Sequence, residues 1–254
     1  MELLYLAFFF VLGAVLGSFY HVVASRLAKE LSIVKPKSHC ESCNHELKWY
    51  ELIPVVSYVI QGGKCRNCHA KLSASYIMME VCTGVLFAVC YHVFDLTWQL
   101  IVALLFVSCL ITIIISDIEH MIILDEVLIF SALAIIIVYL IKLGLQETCM
   151  RIVAGAGAFA TMLIIKKMGD VIFKQESLGG GDIKLMFIIG LVLGYPMSVC
   201  NIFLATFIAF PIALFLLISK KDNMIPFGPF LSMSAIILYV WGLTFADIIR
   251  FIIN

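Results

Sequence analysis

The chain has 254 residues, of which 63% are hydrophobic and 13% are charged, and its mean hydropathy is +1.10. The formal net charge at pH 7 is zero, so total charge identifies no class of partner, and we expect no nucleic acid among the partners. A water-soluble domain of this size does not need so many apolar residues, and long uncharged runs are typical of membrane spans. We therefore predict an all-α, polytopic membrane protein whose first partner is the lipid bilayer, because open strands cannot satisfy their backbone hydrogen bonds in lipid.

About eight apolar segments follow one another along the chain, and each is predicted to form a transmembrane helix. The first lacks the basic region that begins a signal peptide, so we interpret it as a retained helix. The predicted spans lie near residues 2–25, 74–94, 97–116, 122–141, 150–168, 183–196, 198–218 and 228–250. They divide the chain into a first helix at 1–25, a cysteine-rich loop at 26–73 and a transmembrane core at 74–254.

The distribution of basic residues predicts the orientation in the membrane. If the loop at 26–73 is cytoplasmic, fourteen Lys and Arg residues lie on the cytoplasmic side and three lie outside. The positive-inside rule therefore places the long loop in the cytoplasm and both ends of the chain outside.

The loop contains two Cys-x-x-Cys pairs, Cys40 with Cys43 and Cys65 with Cys68, separated by the stretch 44–64. This spacing is typical of a four-thiolate zinc site, and a closed site of that kind is structural rather than catalytic. The alternatives are disulfides, which a cytoplasmic loop disfavours, and ordinary free thiols. We therefore predict a structural zinc ion in a zinc-ribbon-like loop. Neighbouring histidines that are alternative ligands are His39, His45 and His69.

Two aspartates stand where spans meet the cytoplasmic face. Asp117 ends the third span and Asp182 opens the sixth, and the predicted topology puts both on the same side of the membrane. Two carboxylates that face each other in a site of low dielectric share one proton, and such a pair can activate a water and protonate a peptide carbonyl. The alternative is that each is a helix cap or an interfacial acid. Competing acids are Glu80, Glu119 and Asp125.

Three consecutive glycines, Gly179, Gly180 and Gly181, lead into Asp182. Because glycine has no Cβ, this stretch would let an extended substrate backbone approach the aspartate closely. We therefore predict that the three glycines bind the substrate.

Taken together, these stretches resemble the type IV prepilin peptidase family, which consists of membrane aspartyl proteases with a GxGD motif. The resemblance runs along nearly the whole chain. The stretches that carry it are LGSFYHVVASRL at 16–27, the cysteine pairs around LKWYELIPVVSY at 47–58, YIMMEVCTG at 76–84, SDIEHMIILD at 116–125, GGGD at 179–182 and IPFGPFL at 225–231. Departures from the family pattern are His21 and Ala28 for Asn and Pro, Asn44 and His69 for Gly, and Leu124 for Pro.

The resemblance implies that Asp117 and Asp182 are the catalytic pair, and it leaves Asp125 outside that pair. It also implies a multi-pass protein of the bacterial inner membrane that cleaves the basic leader from prepilins or pseudopilins after a glycine, at the cytoplasmic face. Many family members then methylate the new N-terminus with S-adenosylmethionine. A methyl donor is expected here from the resemblance only, and a peptidase without methyltransferase activity is the alternative.

Two functions of other classes compete with proteolysis. A proton- or ion-coupled transporter would place acids near the middle of the membrane on discontinuous helices with repeat symmetry, whereas both aspartates lie at one edge. A membrane anchor with a zinc-ribbon docking domain would explain the cysteines but not the glycine-aspartate stretch.

Overall fold

The computed structural model describes residues 1–40, 42–218, 226–242 and 245, and the regular elements among these residues are helices. Six of them are long and apolar enough to cross a membrane: α1 (Glu2–Leu27), α3 (Ala74–Phe94), α4 (Trp98–His120), α5 (Asp125–Leu143), α6 (Leu145–Phe173) and α8 (Tyr195–Ile218). The shorter ones are the 3-10 turn Trp49–Glu51, α2 (Val56–Ile60), α7 (Gly180–Leu193) and α9 (Gly228–Val240). The predicted all-helical membrane architecture is confirmed.

Each of the eight predicted spans corresponds to one of these helices. The largest differences lie at the fifth span, where α6 extends five residues beyond the predicted 150–168 at each end, and at the eighth span. Helix α7 begins at Gly180, slightly earlier than predicted, and has 14 residues, or about 21 Å at 1.5 Å per residue. The predicted eighth span reaches residue 250, and its part beyond 242, apart from 245, lies outside the described residues.

The chain forms two compact units, Met1–Leu100 and Ile101–Asn254. In the first unit, α1 and α3 pack through small residues. A Cβ built at Gly13 would lie 2.6 Å from the carbonyl oxygen of Thr83, and one built at Gly84 would lie 2.8 Å from that of Phe10. Helices that approach this closely gain dispersion contacts that larger side chains would prevent, as is common between membrane helices.

In the second unit, α7 is packed among four other helices. It contacts α5, α6, α8 and α9, and most of its side chains are buried. Against α6 it packs without a side chain at Gly190, where a Cβ would lie 2.6 Å from that of Ala158. At its C-terminal end Arg151 donates to the carbonyl of Val192 at 2.8 Å, which satisfies one of the carbonyls that a helix end leaves free.

Polar side chains join α8 to α9 inside the same unit. The hydroxyl of Ser234 donates to the side-chain oxygen of Asn201 at 2.7 Å, and the amide of Asn201 donates to the carbonyl of Leu231 at 3.3 Å. All three residues are buried, so these bonds have no competition from solvent. They fix the position of α9, whose first residues reach the candidate site.

Candidate active site

The second unit brings Asp117 and Asp182 together. Asp117 lies in the last turn of α4, Asp182 lies in the first turn of α7, and each is only 6% exposed. The two carboxylates are close enough to interact electrostatically. Two positions that are distant in the sequence therefore meet in one buried pair.

Asp182 is held by the start of its own helix. Gly179 is the N-cap of α7, and its backbone N–H faces the carboxylate of Asp182, which is the third residue of the helix and so occupies the position whose side chain accepts from the N-cap N–H in a capping box. The other carboxylate oxygen, Oδ1, is buried and has no hydrogen-bond partner among the described residues. A buried carboxylate oxygen without a partner costs free energy, so Oδ1 is the atom of this pair that is available to a group from outside the chain.

Asp117 is held by the start of a different helix. The backbone N–H of Gly228, the first residue of α9, faces its carboxylate. A Cβ built at Gly228 would lie 2.5 Å from Asp117 Oδ2, so only glycine allows this approach. Both aspartates therefore lie against the N-terminal end of a helix, where the helix dipole stabilises negative charge.

Gly228 is a site residue that the sequence reasoning missed. The stretch IPFGPFL contributed only to the resemblance, and no role followed for its glycine. The signal was a glycine directly before Pro229, since proline in the first turn marks the start of a helix. No pattern in the sequence indicates that this helix start lies beside Asp117.

The three predicted substrate-binding glycines differ in their surroundings. A Cβ at Gly181 would lie 2.6 Å from the Cβ of Ile123, so its missing side chain makes room for this chain's own isoleucine. A Cβ at Gly179 would lie 3.2 Å from Asp182 Oδ2, whereas one at Gly180 would meet nothing within 4 Å. Gly180 is thus the glycine of the three at which a side chain would meet open space.

The segment that precedes these glycines is fastened to the end of α6. Ser177 donates to Asp170 Oδ1 through its backbone N–H at 2.7 Å and its hydroxyl at 2.8 Å. A Cβ at Gly169 would lie 2.5 Å from the Ser177 hydroxyl oxygen, so the segment lies directly on the helix. These contacts fix the chain just before the N-cap of α7.

The competing acids have other partners or surroundings. Asp125 pairs with Lys184 across α5 and α7 at 2.6 Å, and both side chains are about half exposed. Glu80 lies in the first unit, where it accepts from the backbone N–H of Val55 at 2.7 Å. Glu119 is on the exposed side of α4. None of the three is in the buried pair.

The four cysteines of the loop also come together. Their Sγ atoms all lie within 4.8 Å of one another, with Cys40 to Cys68 at 3.8 Å and Cys43 to Cys65 at 3.9 Å. Four thiolates about 2.3 Å from a tetrahedral zinc would lie about 3.8 Å apart, whereas the sulfurs of a disulfide are about 2.05 Å apart. The donor set and its spacing therefore fit zinc.

Two matching turns produce this geometry. In each, the residue after the second cysteine donates its backbone N–H to the carbonyl of the first, Asn44 to Cys40 at 2.8 Å and His69 to Cys65 at 3.0 Å. Asn44 and His69 have φ values of +54° and +56°, which explains why glycine is frequent at these positions in the family that the chain resembles.

Polar contacts favour the thiolate form of Cys43, one of the four cysteines. The backbone N–H of His45 and the side-chain amide of Asn67 lower the pKa of the Cys43 thiol, which favours the thiolate. The ring of His45 faces Glu51 at 3.5 Å, and the backbone N–H of Lys48 holds the pKa of Glu51 below its usual value. His45 therefore braces the loop instead of replacing a cysteine.

Two protein-family profiles match the chain. The profile of the Bacterial Peptidase A24 N-terminal domain matches residues 11–94, and that of the Type IV leader peptidase family matches residues 104–214. The chain belongs to the type IV leader peptidase family. Membership makes it an aspartic-type peptidase embedded in a membrane.

Curated relatives extend the match over nearly the whole chain. A protein of Bacillus subtilis named prepilin leader peptidase/N-methyltransferase is 33% identical over 93% of this chain and 94% of its own length. A protein of the same name from Myxococcus xanthus is 35% identical over 74% of this chain and 56% of its own length. Another, from Pseudomonas aeruginosa, is 27% identical over 91% of this chain and 89% of its own length. The comparisons give no support to a transporter, and no solved structure matches the chain.

Two departures from the pattern of the type IV leader peptidase family have a structural account. Leu124, where proline is usual, has φ −78°, close to the value that proline imposes, so leucine keeps the same backbone at the N-cap of α5. His21, where asparagine is usual, is buried and its ring lies 4.1 Å from that of Tyr76. Neither change touches the aspartate pair.

Proposed function

We propose that the protein cleaves the leader peptide from prepilins or pseudopilins at the cytoplasmic face of the inner membrane, with Asp117 and Asp182 as its catalytic residues. The observation that carries the proposal is the buried pair of carboxylates with one unpartnered oxygen, Asp182 Oδ1. The curated relatives are named for the same reaction. The orientation rests on the fourteen basic residues that it places in the cytoplasm.

In the proposed reaction one carboxylate of the pair is ionised and the other is protonated. The ionised carboxylate takes a proton from a water as the water oxygen bonds to the carbonyl carbon of the scissile peptide. The protonated carboxylate gives its proton to the carbonyl oxygen. When the C–N bond breaks, the pair returns a proton to the leaving nitrogen, which yields a new carboxyl terminus on the leader and a new amine on the mature chain.

The substrate would reach this pair as an extended backbone. The open space at Gly180, two residues before Asp182 in the chain, supports entry of the substrate at this end of α7, and a glycine before the scissile bond adds no side chain to the crowded site. The apolar helix that follows the cleavage site lies in the bilayer in this proposal, so the protein and its substrate meet in the membrane. Zinc at the four cysteines holds the loop at 26–73 and takes no part in the chemistry.

The relatives' names also support a second activity, methylation of the new N-terminal amine with S-adenosylmethionine as the donor. We assign none of the described residues to this donor. Cleavage and methylation are separable because methylation requires the amine that cleavage produces, whereas cleavage requires no donor.

The test is to incubate the purified protein in detergent or nanodiscs with a prepilin, with and without S-adenosylmethionine, and to weigh the products by mass spectrometry. Loss of the leader without the donor, and the further mass of one methyl group with it, is the expected result. Asp117→Asn and Asp182→Asn are the matched controls. An intact prepilin after incubation with folded wild-type protein would contradict the proposed cleavage.

A further inference from the structure

The short helix α2 carries an apolar stripe that the rest of the described chain leaves uncovered. Val56, Val59 and Ile60 are 50%, 65% and 69% exposed, and their spacing puts them on one face of the helix. Leu52 and Ile53, just before the helix, continue the stripe and are also exposed. An exposed apolar face of this kind marks a surface that contacts something other than water.

A buried carboxylate fixes the level of α2 beside a membrane helix. Glu80 accepts from the backbone N–H of Val55 at 2.7 Å, and Val55 directly precedes α2. Glu80 is the seventh residue of α3, so it lies about 9 Å along the helix from its first residue. With 21 residues, α3 is about as long as the hydrocarbon core is thick, so its first residue lies at the edge of the core and Glu80 lies about 9 Å below that edge, within the roughly 5–10 Å depth that interfacial helices reach.

The attachment at Val55 is specific. Val55 has φ +62°, a conformation that a β-branched residue adopts only when its surroundings enforce it. The hydrogen bond to Glu80 is an interaction that holds the backbone there, because it replaces a bond that the N–H would otherwise make with water. Glu80, a buried acid on a membrane helix, thus has a hydrogen-bond partner and holds the backbone at the start of α2.

The composition around α2 suits a lipid surface. Trp49, in the turn before the stripe, is 77% exposed, and tryptophan is enriched where membranes meet water. Residues 28–73 contain seven basic and four acidic side chains, so the loop has an excess of positive charge that anionic headgroups attract. Both ends of the loop continue into the membrane helices α1 and α3, which keeps it near the surface.

We infer that α2 lies in the membrane interface with Val56, Val59 and Ile60 in contact with lipid, and that Glu80 holds it there through Val55. The occupant of the stripe is the bilayer that surrounds the protein. The cysteine turns are then positioned above the membrane surface by a lipid contact as well as by the two spans. This inference is independent of the proposed cleavage.

The experiment uses tryptophan fluorescence in the full-length protein with its metal bound. Trp49, Trp98 and Trp241 are changed to phenylalanine, and a single tryptophan is introduced by Val59→Trp or, as the matched control, by Lys37→Trp at an exposed position of the same loop. Each protein is placed in nanodiscs of phosphatidylcholine and phosphatidylglycerol whose acyl chains carry bromine near the headgroup. Zinc content confirms that each variant keeps the cysteine site.

Brominated lipid is expected to lower the emission of Val59→Trp by about twofold or more and to leave that of Lys37→Trp unchanged, while aqueous acrylamide quenches Lys37→Trp more strongly. Adding Glu80→Leu is expected to reduce the lipid quenching of Val59→Trp. Equal quenching of both tryptophans by acrylamide, with no effect of bromine, would overturn the inference. So would shielding of Val59→Trp that arises only when a prepilin is added, since the stripe would then belong to the substrate.

Discussion

The cysteine site and the aspartate site are built in opposite ways. The four cysteines lie between positions 40 and 68, and two turns with the same hydrogen bonds supply two ligands each. The aspartates are far apart in the sequence, on two different helices, and the start of a third helix, at Gly228, completes their surroundings. One site depends on local turns, whereas the other depends on how helices of the second unit pack.

This difference predicts how each site fails. A change at a cysteine should release the metal and loosen a loop, while the helices of the second unit stay in place. A change at an aspartate should remove the chemistry and leave the fold intact, because the two carboxylates face backbone N–H groups and form no ion pair with a basic side chain among the described residues. Variants that separate these outcomes test the comparison.

The largest effect is expected at the aspartates. Asp117→Asn or Asp182→Asn should each lower prepilin cleavage by about 10²- to 10⁴-fold, because a near-isosteric amide can neither accept nor donate the transferred proton. Zinc content and thermal stability in detergent should not change. Asp125→Asn is the matched control, since it removes a half-exposed ion pair with Lys184 outside the site. Wild-type rates in either dyad variant would refute the assignment.

The next effect is expected at Gly228. A Cβ there would lie 2.5 Å from Asp117 Oδ2, so Gly228→Ala should displace the carboxylate and lower kcat by about tenfold or more. Gly194→Ala, in the turn after α7 where a Cβ meets nothing within 4 Å, is a control for replacing a glycine in the same unit; its φ of +83° will itself cost some stability. A normal kcat in Gly228→Ala would show that the approach is not required.

Substitutions at two of the glycines before Asp182 distinguish an effect on substrate entry from an effect on helix packing. Gly180→Val should raise KM or lower kcat/KM for prepilin by about tenfold with little loss of stability, because its side chain would occupy the open space through which the substrate is proposed to enter. Gly181→Val should lower the thermal stability as well, because it collides with Ile123. If Gly180→Val cleaves normally, the substrate does not pass this glycine.

The sequence predicted most of the fold because apolar runs bounded by charges or glycines are long and unambiguous in a membrane protein. It predicted the cysteine cluster because each Cys-x-x-Cys pair forms a short turn that places its two sulfurs close together. It predicted that Asp117 and Asp182 lie at the same side of the membrane, through the lysines, and the structure brings the two together. It missed Gly228 and the role of Ile123 at Gly181, because contacts between distant helix ends leave no spacing in the sequence.

The cysteine site should affect cleavage less than these changes. Cys43→Ser should abolish zinc binding, measured by elemental analysis, and make the loop at 26–73 more sensitive to protease, because metal binding supplies part of its folding free energy. Cleavage should fall by about tenfold at most, below the loss in the dyad variants. Cys82→Ser is the control, since Cys82 lies on α3 outside the cluster. A dyad-sized loss of activity in protein whose spans remain folded would show that the loop takes part in catalysis.

The smallest effect is expected from the charge of the substrate's leader. The loop at 26–73 is itself rich in basic residues, so long-range attraction to a basic leader cannot supply recognition. Exposed charge pairs contribute about 0–1 kcal/mol, so changing one leader lysine to glutamine should alter kcat/KM by at most about fivefold, less than Gly180→Val does. Measuring both substrates with wild-type and Gly180→Val protein at low and high salt compares the two effects directly. A larger loss from the leader change, one that shrinks as salt is added, would mean that attraction between the leader and acidic groups of the protein, and not the helix packing around the aspartates, selects the substrate.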